Sequence, residues 1–303
     1  MKEFQLRVNG YELMVEWIPF DRLSDIREIS ESIYSATWLD GIKRADDFRK
    51  AREPYSIVAL KILNNPSKEF GNYMKCKLGG IKLGIYGLTQ TTVTKEYLMV
   101  FQYANYGNLQ KFLKHNFSDL TWETKLKILL DVSKDLYEIH KAGIIHTNLH
   151  SANILQDQQS YISGLRLSKK NDDDVSESGG VYGDLPYVAP EVLSGQRSSQ
   201  AADIYSFGVI MYEVSIGQRP FENYQFDVDF AIKICNGLRP EFASGTPSCY
   251  IELAKQCMDS DPQKRPTAFD LYSMLNEWKK CMEDSDNTVE NKIKKQFLDA
   301  DKR

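Results

Sequence analysis

The segment His146-Thr147-Asn148-Leu149-His150-Ser151-Ala152-Asn153 carries the most information about this chain. Two amide side chains, Asn148 and Asn153, stand five residues apart in it, with no carboxylate between them. An amide oxygen accepts a hydrogen bond but has no usable basicity near neutral pH. Asn148 can therefore hold a neighbouring group or a ligand, but it cannot act as a general base.

Other stretches on both sides of this segment bear on the fold. In chain order they are Val58-Ala59-Leu60-Lys61 in an alternating strand pattern, Tyr97–Tyr103 followed by Gly107-Asn108-Leu109, Ala189-Pro190-Glu191, Asp203-Ile204-Tyr205-Ser206-Phe207-Gly208, and Asp261–Thr267 with Arg265. Together with His146–Asn153, they resemble the motifs of a protein kinase from about Asp21 to Lys280. The resemblance is to the tyrosine-kinase-like serine/threonine branch, which includes large fungal expansions.

The resemblance implies an α+β, two-lobed fold, with a small β-rich N-lobe over 21–103 and a larger helical C-lobe over 108–280. Local patterns in the second half agree with a helical lobe. Thr121 is a good N-cap for a helical pattern that Gly143 ends. The stretch 201–216 is apolar nearly all round, which is typical of a central buried helix.

The two ends of the chain differ in character. We expect residues 1–20 to form an ordered lead-in, because alternate positions carry apolar side chains as in a strand: Tyr11, Leu13, Val15 and Trp17. Residues 281–303 are polar and charged, and they are predicted to form either a surface helix or a disordered tail. No role is assigned to that tail.

The composition is that of an ordinary globular protein, with 303 residues, 42% apolar and 26% charged, and a net charge of −4. This charge offers no basic footprint for nucleic acid, and no apolar run approaches the length of a membrane span. The cysteines form no metal-binding spacing and are expected to be reduced: Cys76, Cys235, Cys249, Cys257 and Cys281. We expect a cytoplasmic protein without a bound metal, of undetermined oligomeric state.

Compared with the family motifs, the positions that handle the metal and the proton are replaced. The resemblance places Thr147 and Asn148 where active kinases have the Arg and the catalytic Asp, while Asn153 matches the metal-binding Asn. The segment Gly164-Leu165-Arg166 matches the motif Asp-Phe-Gly, so the metal-binding carboxylate is replaced by Gly164. Shifting the alignment by one residue recovers no carboxylate, and Arg166 adds a positive charge.

The elements that hold phosphate are also altered. The segment 29–38, where kinases have a glycine-rich loop, has no glycine, is about four residues short of the family pattern and contains Glu31. The Glu that pairs with the strand Lys is matched by Tyr73, because Glu69 lies too early, and Gly71 predicts a short or mobile helix. Two interpretations of Lys61 stay open: it grips a nucleotide phosphate, or it is a relic, paired with another acid or lying in solvent.

The adenine-binding positions are retained. The resemblance implies that hinge backbone near Gln102 and Ala104 binds adenine, with the ring between Ala59 and Leu155, and that Lys61 and Asn153 lie near the phosphates. Whether nucleotide binds stays open at this point; for any ATP binding we expect a weak affinity that does not require magnesium, because one amide is a poor ligand for Mg²⁺.

The architectural positions are retained as well. The resemblance implies a buried ion pair between Glu191 and Arg265, and catalytic-loop anchoring by Asp203 and His146. The residues that position the loop are retained, while those that handle the metal and the proton are replaced. This pattern favours a pseudokinase that acts as a signalling scaffold or allosteric module for protein partners. The alternative is a low-activity serine/threonine kinase that uses ATP.

The segment from Gly164 to Glu191 is acidic, with Asp172-Asp173-Asp174 followed by Ser176, Glu177 and Ser178. Phosphate-controlled kinases order this segment by pairing the phosphate with basic residues, chiefly the Arg that is Thr147 here. We therefore predict no phosphorylation-driven catalytic switch. The segment is either a solvated acidic loop or a docking site for a basic partner.

Overall fold

The computed structural model describes residues 10–11, 13–46, 49–165, 169–170, 183–283 and 292–302. The chain divides into two compact units, Met1–Asn105 and Tyr106–Arg303. The first unit is built mainly of strands and the second mainly of helices. This is the predicted α+β fold with two lobes. The predicted boundaries of lead-in, domain and tail stay predictions.

The first unit contains eight described strands and one α-helix. They are β1 (Glu16–Trp17), β2 (Leu23–Ser30), β3 (Ile33–Trp38), β4 (Ile42–Asp46), β5 (Arg49–Glu53), β6 (Ser56–Ile62), α1 (Pro66–Gly79), β7 (Ile85–Gln90) and β8 (Tyr97–Gln102). Six of the strands form one sheet in the order β1-β7-β8-β6-β3-β2, while β4 and β5 form a separate hairpin. One buried cluster of this unit includes Val58, Leu60 and Val100, which are fully buried.

The lead-in contributes only a short strand to this sheet. Glu16–Trp17 pairs in parallel with Gly87 and Leu88 of β7. Val15 is buried, whereas Leu13 and Trp17 are about half exposed. Of the alternating positions, only Trp17 lies in the strand pairing, so the alternation does not mark a longer strand among the described residues.

Helix α1 is longer than Gly71 suggests. It spans 14 residues, begins after the cap Asn65, whose side chain accepts the Lys68 N–H, and has Pro66 in its first turn. A Cβ added at Gly71 would meet nothing within 4 Å, so this glycine serves no close packing. The prediction of a short helix is wrong, because good capping offsets the roughly 1 kcal/mol that one interior glycine costs.

The second unit contains eight described α-helices and four short strands. In chain order they are α2 (Leu109–Asn116), α3 (Trp122–Lys141), β9 (Ile144–Ile145), β10 (Ile154–Gln156), β11 (Ser160–Ile162), β12 (Lys169–Lys170), α4 (Pro190–Leu193), α5 (Gln200–Ile216), α6 (Val228–Cys235), α7 (Ser248–Cys257), α8 (Ala268–Glu283) and α9 (Lys292–Ala300). Thr121 caps α3 by accepting the Thr124 N–H, as predicted. Helix α5 is buried nearly all round, also as predicted.

The end of the chain is anchored to this unit. Phe297 of α9 is fully buried and contacts the rings of Trp122 and Trp278. One Asp301 carboxylate oxygen accepts the Trp122 N–H at 2.7 Å, at the start of α3. Of the two predicted alternatives for the tail, the described part is a helix, and Phe297 packs it into the core.

Candidate functional site

The loop from His146 to Asn153 is held by a carboxylate from the central helix α5. Asp203 accepts the His146 N–H at 2.8 Å and the Thr147 N–H at 2.9 Å, one on each oxygen. His140 contacts the same carboxylate at 2.9 Å. These bonds hold Thr147 at φ +66°, a left-handed conformation that costs a non-glycine residue energy. The predicted anchoring role of Asp203 is confirmed.

His146 is fully buried, and both of its ring nitrogens have backbone partners. Nε2 lies 2.8 Å from the Ser163 carbonyl oxygen, which can only accept, so Nε2 carries the proton. Nδ1 is then the acceptor of the Asn148 N–H at 3.3 Å. His146 is therefore a structural residue, as predicted, and its imidazole does not replace the missing base.

Asn148 occupies the predicted base position with an amide. Its backbone N–H is donated to His146, and its carbonyl oxygen accepts the side-chain amide of Asn153 at 3.0 Å. Its side chain is half-buried, and its Oδ1 would lie 3.2 Å from a Cβ added at Gly183. The structure therefore brings the two predicted loop residues, Asn148 and Asn153, into direct contact.

The Asn153 amide lies in the space that a side chain at position 164 would need. A Cβ built on Gly164 would lie 2.5 Å from Asn153 Cγ and 2.6 Å from its Oδ1. Gly164 also has φ +86°, a left-handed conformation that glycine adopts without strain. The absence of a side chain at 164 and the placement of the Asn153 amide thus depend on each other.

A second histidine fixes this amide. Asn153 Nδ2 lies 2.8 Å from His150 Nε2 and also donates to the Asn148 carbonyl, so it is a nitrogen and the imidazole nitrogen is the acceptor. Burial lowers the pKa of His150 to about 4, which keeps the ring neutral and able to accept. Nδ1 therefore carries the proton, and it is buried without a partner among the described residues. The sequence analysis missed His150.

The residues at this position do not fit a magnesium ion. Mg²⁺ prefers carboxylate and phosphate oxygens in octahedral geometry, whereas Gly164 offers no side chain and Asn153 offers a single amide oxygen. Over the part of the chain that the structure describes, no group of three or more His, Cys, Asp or Glu residues could hold a metal. The predicted contribution of Arg166 lies outside the described residues.

A buried network joins the loop to α5. Glu213 accepts the Tyr187 hydroxyl at 2.7 Å on one oxygen and the Ser151 hydroxyl at 2.9 Å on the other. Burial raises the pKa of Glu213 to about 7. The sequence analysis missed this group, although an acid inside an otherwise apolar buried helix requires polar partners and was a usable signal.

The ion pair between Glu191 and Arg265 is confirmed. The guanidinium donates to both carboxylate oxygens at 2.7 and 2.8 Å, and both side chains are buried. Arg265 also donates to the carbonyl oxygens of Ala201 and Asp259, so four of its five N–H groups have a partner. This arrangement fixes the segment beginning at α4 to the helical unit.

In the first unit, the turn between β2 and β3 is short. Ser30 pairs with Ile33, so only Glu31 and Ser32 form the turn, and Ser32 has φ +59°. The Ser32 carbonyl accepts the Ile62 N–H at 3.1 Å. The predicted shortening is confirmed. Glu31 is exposed, and this turn lacks the glycine backbone that closes over phosphates in active kinases.

Lys61 lies over an aromatic ring. Its ammonium nitrogen is 5.9 Å from the centroid of the Tyr73 ring, which occupies the predicted position of the missing Glu. Glu69 is used elsewhere, since its Oε1 accepts the N–H groups of Asn64 and Asn65 before α1. Among the described residues Lys61 forms no ion pair, and both interpretations of its role stay predictions.

The predicted adenine-binding residues lie in ordered elements of their own units. Ala59 pairs with Phe101 across β6 and β8, and the Gln102 N–H is donated to the Gly84 carbonyl at 2.7 Å. Ala104 is buried just after β8, and Leu155 lies on β10 of the second unit. The roles of these residues in nucleotide binding stay predictions.

The predicted properties of the acidic segment concern residues 171–182, which lie outside the described residues. Among the helices of the described chain, none combines the length and apolar character needed to cross a bilayer. The cytoplasmic location stays a prediction.

Comparison with known proteins agrees with this geometry. The family model for protein tyrosine and serine/threonine kinases matches residues 50–275, about three quarters of the chain. The chain is 31% identical over 196 residues to cyclic GMP-binding protein C of Dictyostelium discoideum, covering 60% of this chain and 7% of that protein. It is 27% identical over 210 residues to serine/threonine/tyrosine-protein kinase HT1 of Arabidopsis thaliana (67% and 54% covered) and 30% identical over 206 residues to its serine/threonine-protein kinase VIK (64% and 47%).

The chain thus spans between 7% and 54% of the length of these three relatives. Their full-length activities therefore belong to larger proteins. The matched segment contains the anchored loop, the buried Glu191–Arg265 pair and the central helix described above. With a family model covering most of its length, this chain belongs to the protein tyrosine and serine/threonine kinase family.

Proposed function

We propose that this chain is a catalytically impaired kinase domain, a pseudokinase of the tyrosine-kinase-like branch, that serves as a scaffold or allosteric module for protein signalling partners. It binds ATP weakly and without a requirement for magnesium. The observation that carries the proposal is the Asn153 amide, which lies against Gly164 where the family has its metal-binding carboxylate.

The local bonding supports a site that is organised without metal. The Asn153 amide nitrogen is bound to both Asn148 and His150, whose lowered pKa keeps it a neutral acceptor. These two hydrogen bonds hold the amide nitrogen, and the Asn153 side chain offers a cation only its one amide oxygen. A single amide oxygen is not enough to bind magnesium, since this ion requires several oxygen ligands.

The proton-transfer side supports the same conclusion. Asn148 is not basic, and both ring nitrogens of His146 are bound to backbone groups of Asn148 and Ser163. Loss of a general base alone lowers a rate by roughly 10²–10⁴. Phosphoryl transfer also depends on the charge of the metal ion. Losing the general base and the metal ligand together therefore removes most of the means by which the family accelerates the reaction.

For nucleotide, the proposal relies on Lys61 and on the hinge near Gln102 and Ala104. Lys61 keeps its position on β6, and the face of Tyr73 stabilises its charge without neutralising it as a carboxylate would. A cation held in this way can still attract a phosphate. Without a glycine loop or a metal, we expect this attraction to give weak binding.

A phosphotransfer assay tests the catalytic part. The purified chain is incubated with radiolabelled ATP and either magnesium or manganese, with a general protein substrate and alone. We expect no incorporation above the level of the Lys61→Ala variant. Incorporation that depends on Lys61 would overturn the proposal and favour the low-activity serine/threonine kinase.

A nucleotide titration tests the binding part. Melting temperature is followed with increasing ATP, with magnesium and with EDTA. We expect a small stabilisation of equal size in both conditions, reduced in Lys61→Ala and retained in the matched surface variant Lys255→Ala, whose side chain is exposed on α7. Stabilisation that appears only with magnesium would refute metal-independent binding.

A further inference from the structure

A groove of about 320 Å³ lies in the unit formed by Tyr106–Arg303, apart from the His146–Asn153 loop. Its walls are α2, the first half of α3 and the turn between β10 and β11. Ligand clefts in proteins measure about 300–1,000 Å³. This groove is at the lower end of that range, which suits a few side chains of an extended peptide and not a large cofactor.

The walls of the groove are fixed by hydrogen bonds before any ligand arrives. The Tyr106 N–H donates to the Gln156 carbonyl at 3.1 Å, and the Gln156 N–H donates to Gly107 at 2.8 Å. The Ser160 N–H donates to Asp131 of α3 at 3.3 Å. A preformed surface loses little conformational freedom on binding, which favours recognition of a flexible segment.

The groove has an apolar part formed by aromatic and aliphatic side chains. Tyr106 and Phe112 meet edge to face with centroids 5.7 Å apart, and Tyr106 is 56% exposed. Leu120 and Ile128 continue this part of the lining. An exposed tyrosine ring beside aliphatic groups offers apolar contact area to a bound side chain.

The charges around this apolar part are mainly negative. Asp119, Asp131 and Asp157 line the groove with Lys127 as the basic lining residue, a formal charge of −2 from three carboxylates and one ammonium. The Lys127 ammonium donates to the Gln158 carbonyl at 3.2 Å, so it is already directed at the turn. Among the described residues these acids form no group of three that could hold a metal ion.

We propose that this groove is a docking site for an extended segment of a partner protein that carries Lys or Arg next to aliphatic or aromatic residues. The carboxylates attract and orient the basic side chain, and Tyr106 and Phe112 receive the apolar one. The proposal rests on the scaffold role proposed above and names the chemistry of its partner. A negative groove disfavours nucleic acid and anionic lipid as occupants.

The test uses the full chain and a positional-scanning library of octapeptides. The immobilised chain is exposed to the library, and retained peptides are sequenced; selected peptides are then labelled, and their affinity is measured by fluorescence anisotropy. We expect enrichment of Lys or Arg beside Leu, Ile, Val or Phe, with binding that weakens as salt is raised. Retention of acidic or uncharged peptides, or of none, would overturn the proposal.

Variants locate the binding. Asp119→Asn with Asp157→Asn should weaken the selected peptide about three- to thirtyfold, as expected for the loss of two partly exposed charge pairs. Tyr106→Ser should also weaken binding of the selected peptide, because it removes the aromatic ring that contacts the apolar side chain of the peptide. The matched control Asp229→Asn with Glu277→Gln changes the same net charge at exposed positions outside the lining and should leave affinity unchanged.

Melting temperatures of all variants check that each remains folded. Equal peptide affinity in the groove variants and the control would refute this site. Phosphotransfer measured on the same samples tests the proposed function separately. Absence of peptide binding would refute the docking site, whereas phosphotransfer activity in samples that bind peptide would refute the pseudokinase assignment alone.

Discussion

Replacing Gly164 by alanine tests whether the Asn153 amide depends on the missing side chain. The new Cβ would lie 2.5–2.8 Å from three atoms of the Asn153 amide, so the amide must turn away. It would lose its hydrogen bonds to Asn148 and His150, about 1–3 kcal/mol in total. The φ of +86° adds about 1–2 kcal/mol for a residue with a Cβ. The expected loss of unfolding free energy is therefore about 2–5 kcal/mol.

A double-mutant cycle separates the two contributions. Asn153→Ala alone loses the same hydrogen bonds, about 1–3 kcal/mol. The double variant with Gly164→Ala loses them only once, so the two changes should be less than additive by about 1–3 kcal/mol. The control is Gly195→Ala, because Gly195 has φ +88° and a Cβ there would meet nothing within 4 Å.

The assay is urea unfolding followed by circular dichroism, with the free energy extrapolated to water. Gly195→Ala should lose unfolding free energy only through its left-handed backbone, and this loss should be smaller than that of Gly164→Ala. Additivity of Gly164→Ala and Asn153→Ala within about 0.5 kcal/mol would show that the amide and the glycine are independent. The argument that the metal position is filled by the Asn153 amide would then fail.

Three further predictions concern stability. Arg265→Met, which leaves a buried carboxylate without its partner, should cost about 3–5 kcal/mol in urea unfolding, whereas Arg44→Met at an exposed ion pair should cost less than about 1. Phe297→Ala should cost about 3–5 kcal/mol and Leu298→Ala, on the exposed side of the same helix, less than about 0.5, measured in the same way; equal effects would contradict the docking of α9. Burial raises the pKa of Glu213 from 4.5 to about 7, so the folded state favours the protonated carboxyl group. Protonation therefore contributes about 3 kcal/mol to the free energy of unfolding. This contribution is complete below pH 4.5 and is lost as the pH rises to 7. Unfolding between pH 4 and 8 should show this slope, and Glu213→Gln should remove it; a slope that persists in the variant would refute the assignment.

The sequence by itself determined the fold class and the lack of a carboxylate at two positions of the predicted site. Asn148 and Gly164 lack a carboxylate whatever the structure, and their spacing within an ordered set of motifs identified the positions they occupy. Tyr73 was predicted at the position facing Lys61 for the same reason, and the ring lies there. Helix α3 could be located because its cap and apolar period are local features.

Contacts between distant parts of the chain could not be predicted in this way. Gly71 suggested a weak helix, but capping at Asn65 decided its length, and pairing reduced the lead-in strand to two residues. The Asn153 amide and His150 depend on the backbone of Gly164, which no periodicity describes.

One such contact joins the described end of the chain to α3, where Asp301 accepts the Trp122 N–H across 179 residues of sequence. Phe297 beside it is fully buried, and this side chain packs the helix of the charged tail against the core. Residue types and spacing record which groups are present and which helices and strands form. The partners of those groups depend on which distant segments the packed core brings within hydrogen-bond distance, and only the tertiary structure decides that.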